Sequence, residues 1–290
     1  HEVSHFKRKH SIDSYVDLNS RNARYSTNGL LDKYKYSQEK ELEADVDGIK
    51  LFKKTKYSYK GVVGAFNVLK YSHLPFDEIK FDKTFLEDVN LVFPNEYFKK
   101  DINPIKGDED YDDSKSSHPN IKKRKAAVNT ELVEFTDDGR EKFLVGQEEF
   151  YKIRENSRFE LCRIELLNRD YAACIYDCFL LTKKYPNNLF LKVTIGKALY
   201  QVAAAKSPEV KNYKTTIRPG ILDFDRKNSL YYDYSDIEGN SQQVYHLFDK
   251  INDVSSSVLA LNYNWKLRRE LAGNNQDINL LCDSLFVLLA

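Results

Sequence analysis

The chain has 290 residues, of which 41% are hydrophobic, so it is long enough to build more than one core and two domains are expected. Lys and Arg number 45 against 44 for Asp and Glu, which gives a formal net charge of +1. Because the two signs are interspersed and no sustained basic stripe occurs, nucleic acid is excluded as the main partner. No apolar run approaches the roughly 18 residues of a membrane-spanning helix, so we expect membrane association at most.

The sequence begins at a histidine and contains no methionine. We therefore expect any targeting segment or anchor to lie outside the sequence. The absence of methionine from a chain of this length also predicts that residues are missing from the sequence. Spacings between its motifs would then be longer in the natural protein.

The first five residues, H-E-V-S-H, match the pattern H-E-x-x-H. On a helix, His1 and His5 share a face, so both imidazoles point to one spot with Glu2 beside them. Neutral imidazoles suit Zn²⁺, and the intervening glutamate is placed to take a proton from a water molecule at the metal. The alternative is a solvated helix face. The helix is predicted to continue beyond His10, which lies off the shared face and is expected to be a helix-end residue.

A second amphipathic helix, predicted from the capping residue Ser37 to Lys54, carries two carboxylates on one face. Glu41 and Asp45 are four residues apart, and like charges at that spacing need either solvent or a cation. Beside an H-E-x-x-H helix, Glu41 is the candidate third Zn²⁺ ligand. Asp45, one turn further on, is placed to accept the outer N–H of a ligating histidine. The alternative interpretation is an acidic helix face exposed to solvent.

The string H-E-V-S-H followed by E-L-E-A-D-x-x-G resembles the motif pair of the HtpX/BepA-type zinc metallopeptidases. These form a gluzincin group that works at membranes and in the bacterial envelope. The resemblance implies one Zn²⁺ per chain, held by His1, His5 and Glu41. It also implies that Glu2 is the general base and that Asp45 orients a ligand.

The same resemblance assigns roles to the neighbours of these residues. Glu43 would lie on another side of the second helix and would not bind metal, while the small Ala44 and Gly48 would allow close packing against the first helix. The stretch between His5 and Glu41 is shorter than this family usually shows. The helix and strand that precede H-E-x-x-H in the family are absent from the sequence.

The element Ser117-His118-Pro119-Asn120 precedes another predicted helix, with Arg124 six residues after His118. From the residues alone, His118 is a turn residue before a helix-starting proline. The resembling family has an H-P-x-x-x-x-R element at this place. By that resemblance His118 is a candidate fourth ligand or active-site plug, or else a group that polarises the substrate. The acidic run at 107–113 is predicted to repel itself and to be mobile.

From Thr136 the sequence changes to long helical patterns that resemble a tetratricopeptide repeat. Cys162 and Cys174 occupy the small positions where two helices touch, and Tyr171 occupies the aromatic position at the turn. Counting the repeat's period of about 34 residues from Cys162 reaches Gly196, a small residue as the repeat requires. The segment therefore predicts helical hairpins that stack on one another, with a docking surface or a simple packed helical domain as the two interpretations.

Four cysteines occur, and none belongs to a C-x-x-C pair; they are Cys162, Cys174, Cys178 and Cys282. Free cysteine behaves as a small hydrophobic residue, so we expect all four to be buried. A disulfide or a metal site is the alternative.

Together the patterns predict a mainly α-helical protein with little β structure. A zincin-like peptidase domain is expected at residues 1–135 and an α-superhelical, tetratricopeptide-repeat-like domain at residues 136–290. The resemblance implies a zinc metalloendopeptidase of the bacterial periplasm or cell envelope that acts in protein quality control. Its partners would be protein or peptide substrates, with an outer-membrane assembly machine or another protein docked on the repeats. The alternative is an adaptor or chaperone-type protein whose zinc site is structural or silenced.

Overall fold

The computed structural model of the chain describes residues 1–12, 16, 27–58, 60–133, 136, 140–207 and 236–289, without the side chains of residues 27–36 and 63. Ten α-helices dominate this described part, and its β structure is limited to two isolated bridges. The predicted mainly α-helical class is therefore confirmed, while the zincin-like and superhelical assignments stay predictions. None of the described helices combines the length and the apolar character needed to cross a bilayer.

The chain divides into two compact units, one made of residues 1–73 and 107–150 and the other of residues 74–106 and 151–290. This division differs from the predicted domains, since residues 74–106 belong to the second unit and the later boundary falls after Phe150. The physical reason is that the side chains of Phe81, Leu86 and Phe93 are buried in the core of the second unit.

In the described part of the first unit, the main helices are α1 Glu2–Arg8, α2 Thr27–Phe52, α3 Lys60–Tyr71 and α4 Ile121–Leu132. A small core of Ile49, Phe66, Ile121 and Val128 joins α2, α3 and α4. The side chain of Asn120 accepts a hydrogen bond from the backbone N–H of Lys123 and so caps the start of α4.

Two helix boundaries in this unit differ from the sequence prediction. Helix α2 begins at Thr27, so Ser37 lies inside it and is not its cap. Helix α1 ends at Arg8 and does not continue beyond His10. It ends there because Lys9 adopts a left-handed backbone conformation, with φ 58° and ψ 29°, which a helix cannot accommodate.

The second unit contains most of α5 and the later helices of the described residues: α5 Gln147–Asn168, α6 Tyr171–Lys184, α7 Leu189–Lys206, α8 Gln242–Lys250, α9 Asp253–Glu270 and α10 Gln276–Leu289. Asp170, Asn188 and Asn252 cap the starts of α6, α7 and α9 with their side-chain oxygens. Helix α6 packs against α7, α7 against α9, and α9 against α10.

Small residues mark the closest helix contacts in this unit. All four cysteines are free and buried, as expected, and the Cys174 thiol donates to the Cys162 carbonyl where α6 meets α5, at 3.3 Å. A side chain at Gly196 on α7 would collide with Asn264 on α9. These contacts are compatible with the small positions of the predicted repeat, and the repeat assignment itself stays a prediction.

Two carboxyl groups lie buried beside each other in the second unit, Glu165 on α5 and Asp177 on α6. Burial raises the pKa of both groups, and the charge of Asp177 raises the pKa of Glu165 further. Folding therefore takes up protons, so the stabilising contribution is fully present below about pH 4 and is lost as the pH rises through the folded-state pKa values. The single tryptophan, Trp265, lies on α9 in the same unit. We expect the midpoint of urea unfolding of this unit, followed by the fluorescence of Trp265, to be lower at pH 9 than at pH 5.

The substitution Asp177→Asn should remove much of this pH dependence, because one of the two ionising groups is then permanently neutral. Glu160→Gln is the matched control, since Glu160 is an exposed carboxylate on the same helix as Glu165. Equal midpoints at pH 5 and pH 9 in the unsubstituted protein would contradict the prediction.

Candidate metal centre

The candidate metal centre lies where α1 packs against α2. The two helices approach closely at Gly48, where an added Cβ atom would lie 2.9 Å from the His1 backbone nitrogen and 3.3 Å from its Cα atom. Ala44, one turn earlier on α2, is completely buried. Small side chains on α2 therefore place the first residue of the chain directly over the carboxylates of that helix.

Three predicted ligands come together at this contact. The Nε2 atoms of His1 and His5 lie 3.0 Å apart. Glu41 Oε2 lies 3.2 Å from His1 Nε2, and Glu41 Oε1 lies 3.3 Å from His5 Nε2. Among the described residues, His1, His5 and Glu41 form the one group of three or more His, Cys, Asp or Glu side chains whose donor atoms lie close enough to share a metal ion.

The spacing of these donor atoms fits Zn²⁺. Bonds of 2.0–2.1 Å in a tetrahedral arrangement place ligand atoms roughly 3.3 Å from one another. The 3.0 Å between the two Nε2 atoms is close to that edge length, and each of these nitrogens has one Glu41 oxygen at a similar distance, Oε2 at 3.2 Å from His1 and Oε1 at 3.3 Å from His5. Two imidazole nitrogens and one carboxylate also form a known catalytic zinc set, in which the fourth position stays open to water or substrate.

The outer face of the His1 imidazole is held by a buried ion pair. Asp45 Oδ1 lies 2.8 Å from His1 Nδ1. Arg124 on α4 donates to both oxygens of Asp45, from Nε at 2.7 Å and from Nη2 at 2.8 Å. Asp45 is placed to accept a hydrogen bond from His1 Nδ1, which would direct Nε2 towards a metal; its role as the orienting residue stays a prediction.

The charges around the ligands shift their pKa values in different directions. Hydrogen bonds to Asp45 and Glu41 raise the pKa of His1 to about 9. Burial lowers the pKa of His5. Burial opposes ionisation of Glu41, but the hydrogen bond from His1 and the nearby His118 hold its pKa below the ordinary value. Glu41 is thus ionised at neutral pH, and His1 must release a proton when a metal binds.

Glu2 stands beside the donor atoms without belonging to them. Its Oε1 atom lies 3.9 Å from His1 Nε2, and its side chain is 90% exposed. An exposed carboxylate next to the ligand set can exchange protons with a water molecule or substrate near the metal without itself binding the ion.

His118 also lies at this site, on the loop before α4. Its Nε2 atom is 3.7 Å from Glu41 Oε2, its side chain is 60% exposed, and its Nδ1 atom lies 3.0 Å from the Ser117 hydroxyl. His118 is not in the group of donor atoms formed by His1, His5 and Glu41. The structure thus places His118 beside a predicted ligand, and its role as ligand or plug stays a prediction.

The loop that carries His118 is tied down by Asp113, which is buried. Asp113 accepts hydrogen bonds from the Asn120 backbone N–H at 2.7 Å and from Lys123 Nζ at 2.7 Å. Gln38 on α2 donates to the backbone carbonyls of Asp113 and Ser116. The end of the acidic run, at Asp113, is therefore held by hydrogen bonds, in contrast to the mobility predicted for the run.

An open groove of about 960 Å³ includes His1, Glu2, Glu41 and His118 in its lining. Much of its remaining surface is apolar and is formed by Ile49, Phe52, Phe66, Val68, Leu69 and Leu144. All of these residues belong to the first unit. A ligand in this groove would reach the candidate metal ligands and Glu2 while its apolar parts contact the walls.

Sequence reasoning did not foresee two contacts at the site. His10 lies with its Nδ1 atom 2.9 Å from Nδ1 of His5 and its Nε2 atom 3.1 Å from Glu43 Oε2. Arg124 was part of a recognised motif, but nothing in that motif indicated its pairing with Asp45. The sequence does show a third histidine, His10, close to H-E-x-x-H. Its pairing with Glu43 on α2 depends on the tertiary structure and could not be read from the sequence.

No protein-family model, curated protein or solved structure matches the chain.

Proposed function

We propose that the chain is a zinc-dependent endopeptidase in which His1, His5 and Glu41 bind one Zn²⁺. The observation that carries the proposal is the convergence of the two imidazole Nε2 atoms, 3.0 Å apart, with the Glu41 carboxylate, one oxygen of which lies within 3.3 Å of each nitrogen. An intact, exposed Glu2 beside them supports catalysis over a purely structural site, which has no use for a proton acceptor.

Bound zinc would polarise the substrate carbonyl and make a water molecule acidic enough to attack it near neutral pH. The chain's own residues then perform the proton transfers. A carboxylate oxygen of Glu2 accepts the proton of the attacking water and returns it to the nitrogen of the leaving amine. Asp45 and Arg124 keep the His1 imidazole in its binding orientation throughout.

The groove supports a peptide as the substrate. Its apolar walls suit peptides with large hydrophobic side chains near the cleaved bond, such as the segments that an unfolded or misassembled protein exposes. On the motif resemblance, we place this activity in protein quality control in the bacterial periplasm or cell envelope. The helices of the second unit would then dock a substrate or a partner such as an outer-membrane assembly machine.

Metal analysis together with a cleavage assay tests the proposal. The full chain should contain one zinc per molecule and should cleave a fluorescently quenched casein. A chelator should stop this cleavage and added zinc should restore it. Absence of stoichiometric zinc would overturn the metal centre. Stoichiometric zinc without cleavage, in the chain itself and in the His118→Ala variant, would instead favour an adaptor whose zinc site is structural or silenced.

We expect the substitution His118→Ala to lower kcat for casein cleavage by about 10²-fold, as removal of one donor to a developing oxyanion does. The His118 imidazole lies beside Glu41 but outside the donor group, so it could donate a hydrogen bond to a substrate oxygen near the metal without binding the metal itself. Zinc content should not change. His73→Ala is the control, since His73 is an exposed histidine that does not line the groove. A rise in kcat would show that His118 blocks the site.

A further inference from the structure

The turn after α1 brings a third histidine back to the metal centre. Lys9 is one of the few residues other than glycine with a positive φ among the described residues. Such a conformation is unfavourable for a lysine, so the surrounding contacts must hold it in place. The left-handed turn at Lys9 ends α1, and the buried His10 that follows, 5% exposed, packs its ring edge against the ring of His5 with the centroids 4.9 Å apart.

The contacts of His10 form a continuous hydrogen-bonded path from a metal ligand to a carboxylate. His5 Nε2 faces Glu41, while His5 Nδ1 faces His10 Nδ1 at 2.9 Å. His10 Nε2 in turn faces Glu43 Oε2 at 3.1 Å. The two rings therefore use all four of their nitrogen atoms.

One arrangement of protons satisfies every contact on this path. If His5 binds a metal through Nε2, its proton must lie on Nδ1, and it donates to His10 Nδ1. His10 then carries its own proton on Nε2 and donates to the carboxylate of Glu43. Binding of a metal at His5 Nε2 and the hydrogen bond that Glu43 Oε2 accepts from His10 Nε2 thus favour the same tautomers of both rings.

Glu43 is itself held in position by a cation. Arg8, the last residue of α1, contacts Glu43 at 2.8 Å and Asp47 at 2.7 Å. The Lys40 ammonium donates to the backbone carbonyl of His10 at 3.3 Å. Residues of α2 therefore fix both the backbone and the ring of His10.

We propose that His10 and Glu43 are positioning residues for the metal centre, holding the His5 imidazole in the tautomer and orientation that bind zinc. His1 is held by Asp45 directly, and His5 is held by Glu43 through the intervening ring of His10. The inference rests on the proposed zinc site, and it assigns Glu43 a role although this residue does not contact the metal.

Zinc affinity, measured by competition with a chromogenic chelator, tests the inference without use of activity. Loss of a partner that orients a ligating histidine weakens metal binding about 10–100-fold, and we expect this for His10→Ala and a weakening in the same direction for Glu43→Gln. The conservative variant His10→Gln should recover most of the affinity, because its amide can accept from His5 and donate to Glu43. Glu39→Gln, an exposed glutamate on the same helix, is the control.

A second readout is the ¹⁵N chemical shift of the His5 ring in the zinc-loaded protein. It should show a protonated Nδ1 in the unsubstituted chain, with a changed Nδ1 shift in His10→Ala. Failure of the unsubstituted chain to bind zinc would overturn the proposed function. Tight zinc binding that is equal in the unsubstituted chain and in Glu43→Gln, with an unchanged His5 spectrum in Glu43→Gln, would overturn only this inference. Glu43 is exposed, so its variant tests the inference even if His10→Ala fails to fold.

Discussion

Replacement of Glu2 by Gln is expected to lower kcat for casein cleavage by about 10²–10⁴-fold, the range that a positioned proton acceptor contributes. Glutamine has almost the same shape as glutamate but cannot accept a proton from the attacking water. Because Glu2 is 90% exposed and lies outside the donor group, its substitution removes no packing and no metal ligand. Zinc content and helix content should therefore equal those of the unsubstituted chain.

This comparison separates the two function classes. Loss of cleavage with retained zinc is the result expected for an enzyme. Equal cleavage by the Glu2→Gln variant and the unsubstituted chain would show that the activity comes from another group or from a contaminating protease. Glu39→Gln serves again as the control, since it removes an exposed carboxylate from α2 without approaching the site.

The local part of the site follows from sequence periodicity. His1 and His5 are one helical turn apart, as are Glu41 and Asp45, so each pair had to share a helix face once the helices formed. That these two faces meet depends on Gly48, whose lack of a side chain admits the backbone of His1. Periodicity carries no information on such a contact between helices. The expectation that the two helices meet came from the motif resemblance.

Other features could not be foreseen for identifiable physical reasons. The end of α1 depends on a left-handed lysine, and lysine is not a residue that typically marks this conformation. Without that turn, His10 could not reach His5. Residues 74–106 have the composition of an irregular loop, yet Phe81 packs on Phe179 with ring centroids 5.0 Å apart and so joins the second unit. Local composition does not specify which core receives a loop's aromatic side chains.

Breaking the buried Arg124–Asp45 pair is expected to have the largest effect on stability. The Asp45 side chain is 6% exposed, and in Arg124→Met it would keep a buried charge that still faces the His1 imidazole but has lost the guanidinium. Removal of one member of a buried ion pair costs about 3–5 kcal/mol. The loss of stability makes the first unit unfold locally more often, and amide hydrogen exchange in α2 and α4 measures how often it does so. This exchange should become faster by roughly two to nearly four orders of magnitude in the metal-free variant.

The pH dependence of this effect identifies its cause. Burial by itself disfavours the Asp45 carboxylate, but the hydrogen bonds from Arg124 and His1 hold its pKa below the ordinary value. A depressed folded-state pKa contributes stability that is present above the unfolded pKa of about 4 and is lost as the pH falls through the folded value. The difference in free energy of unfolding between Arg124→Met and the unsubstituted chain should therefore be largest at pH 7 and should shrink below pH 4.

Because the double variant Asp45→Asn/Arg124→Met removes the stranded Asp45 carboxylate, it should be more stable at pH 7 than Arg124→Met alone. A double variant no more stable than Arg124→Met would show that lost packing against Phe66, and not the stranded carboxylate, causes the destabilisation.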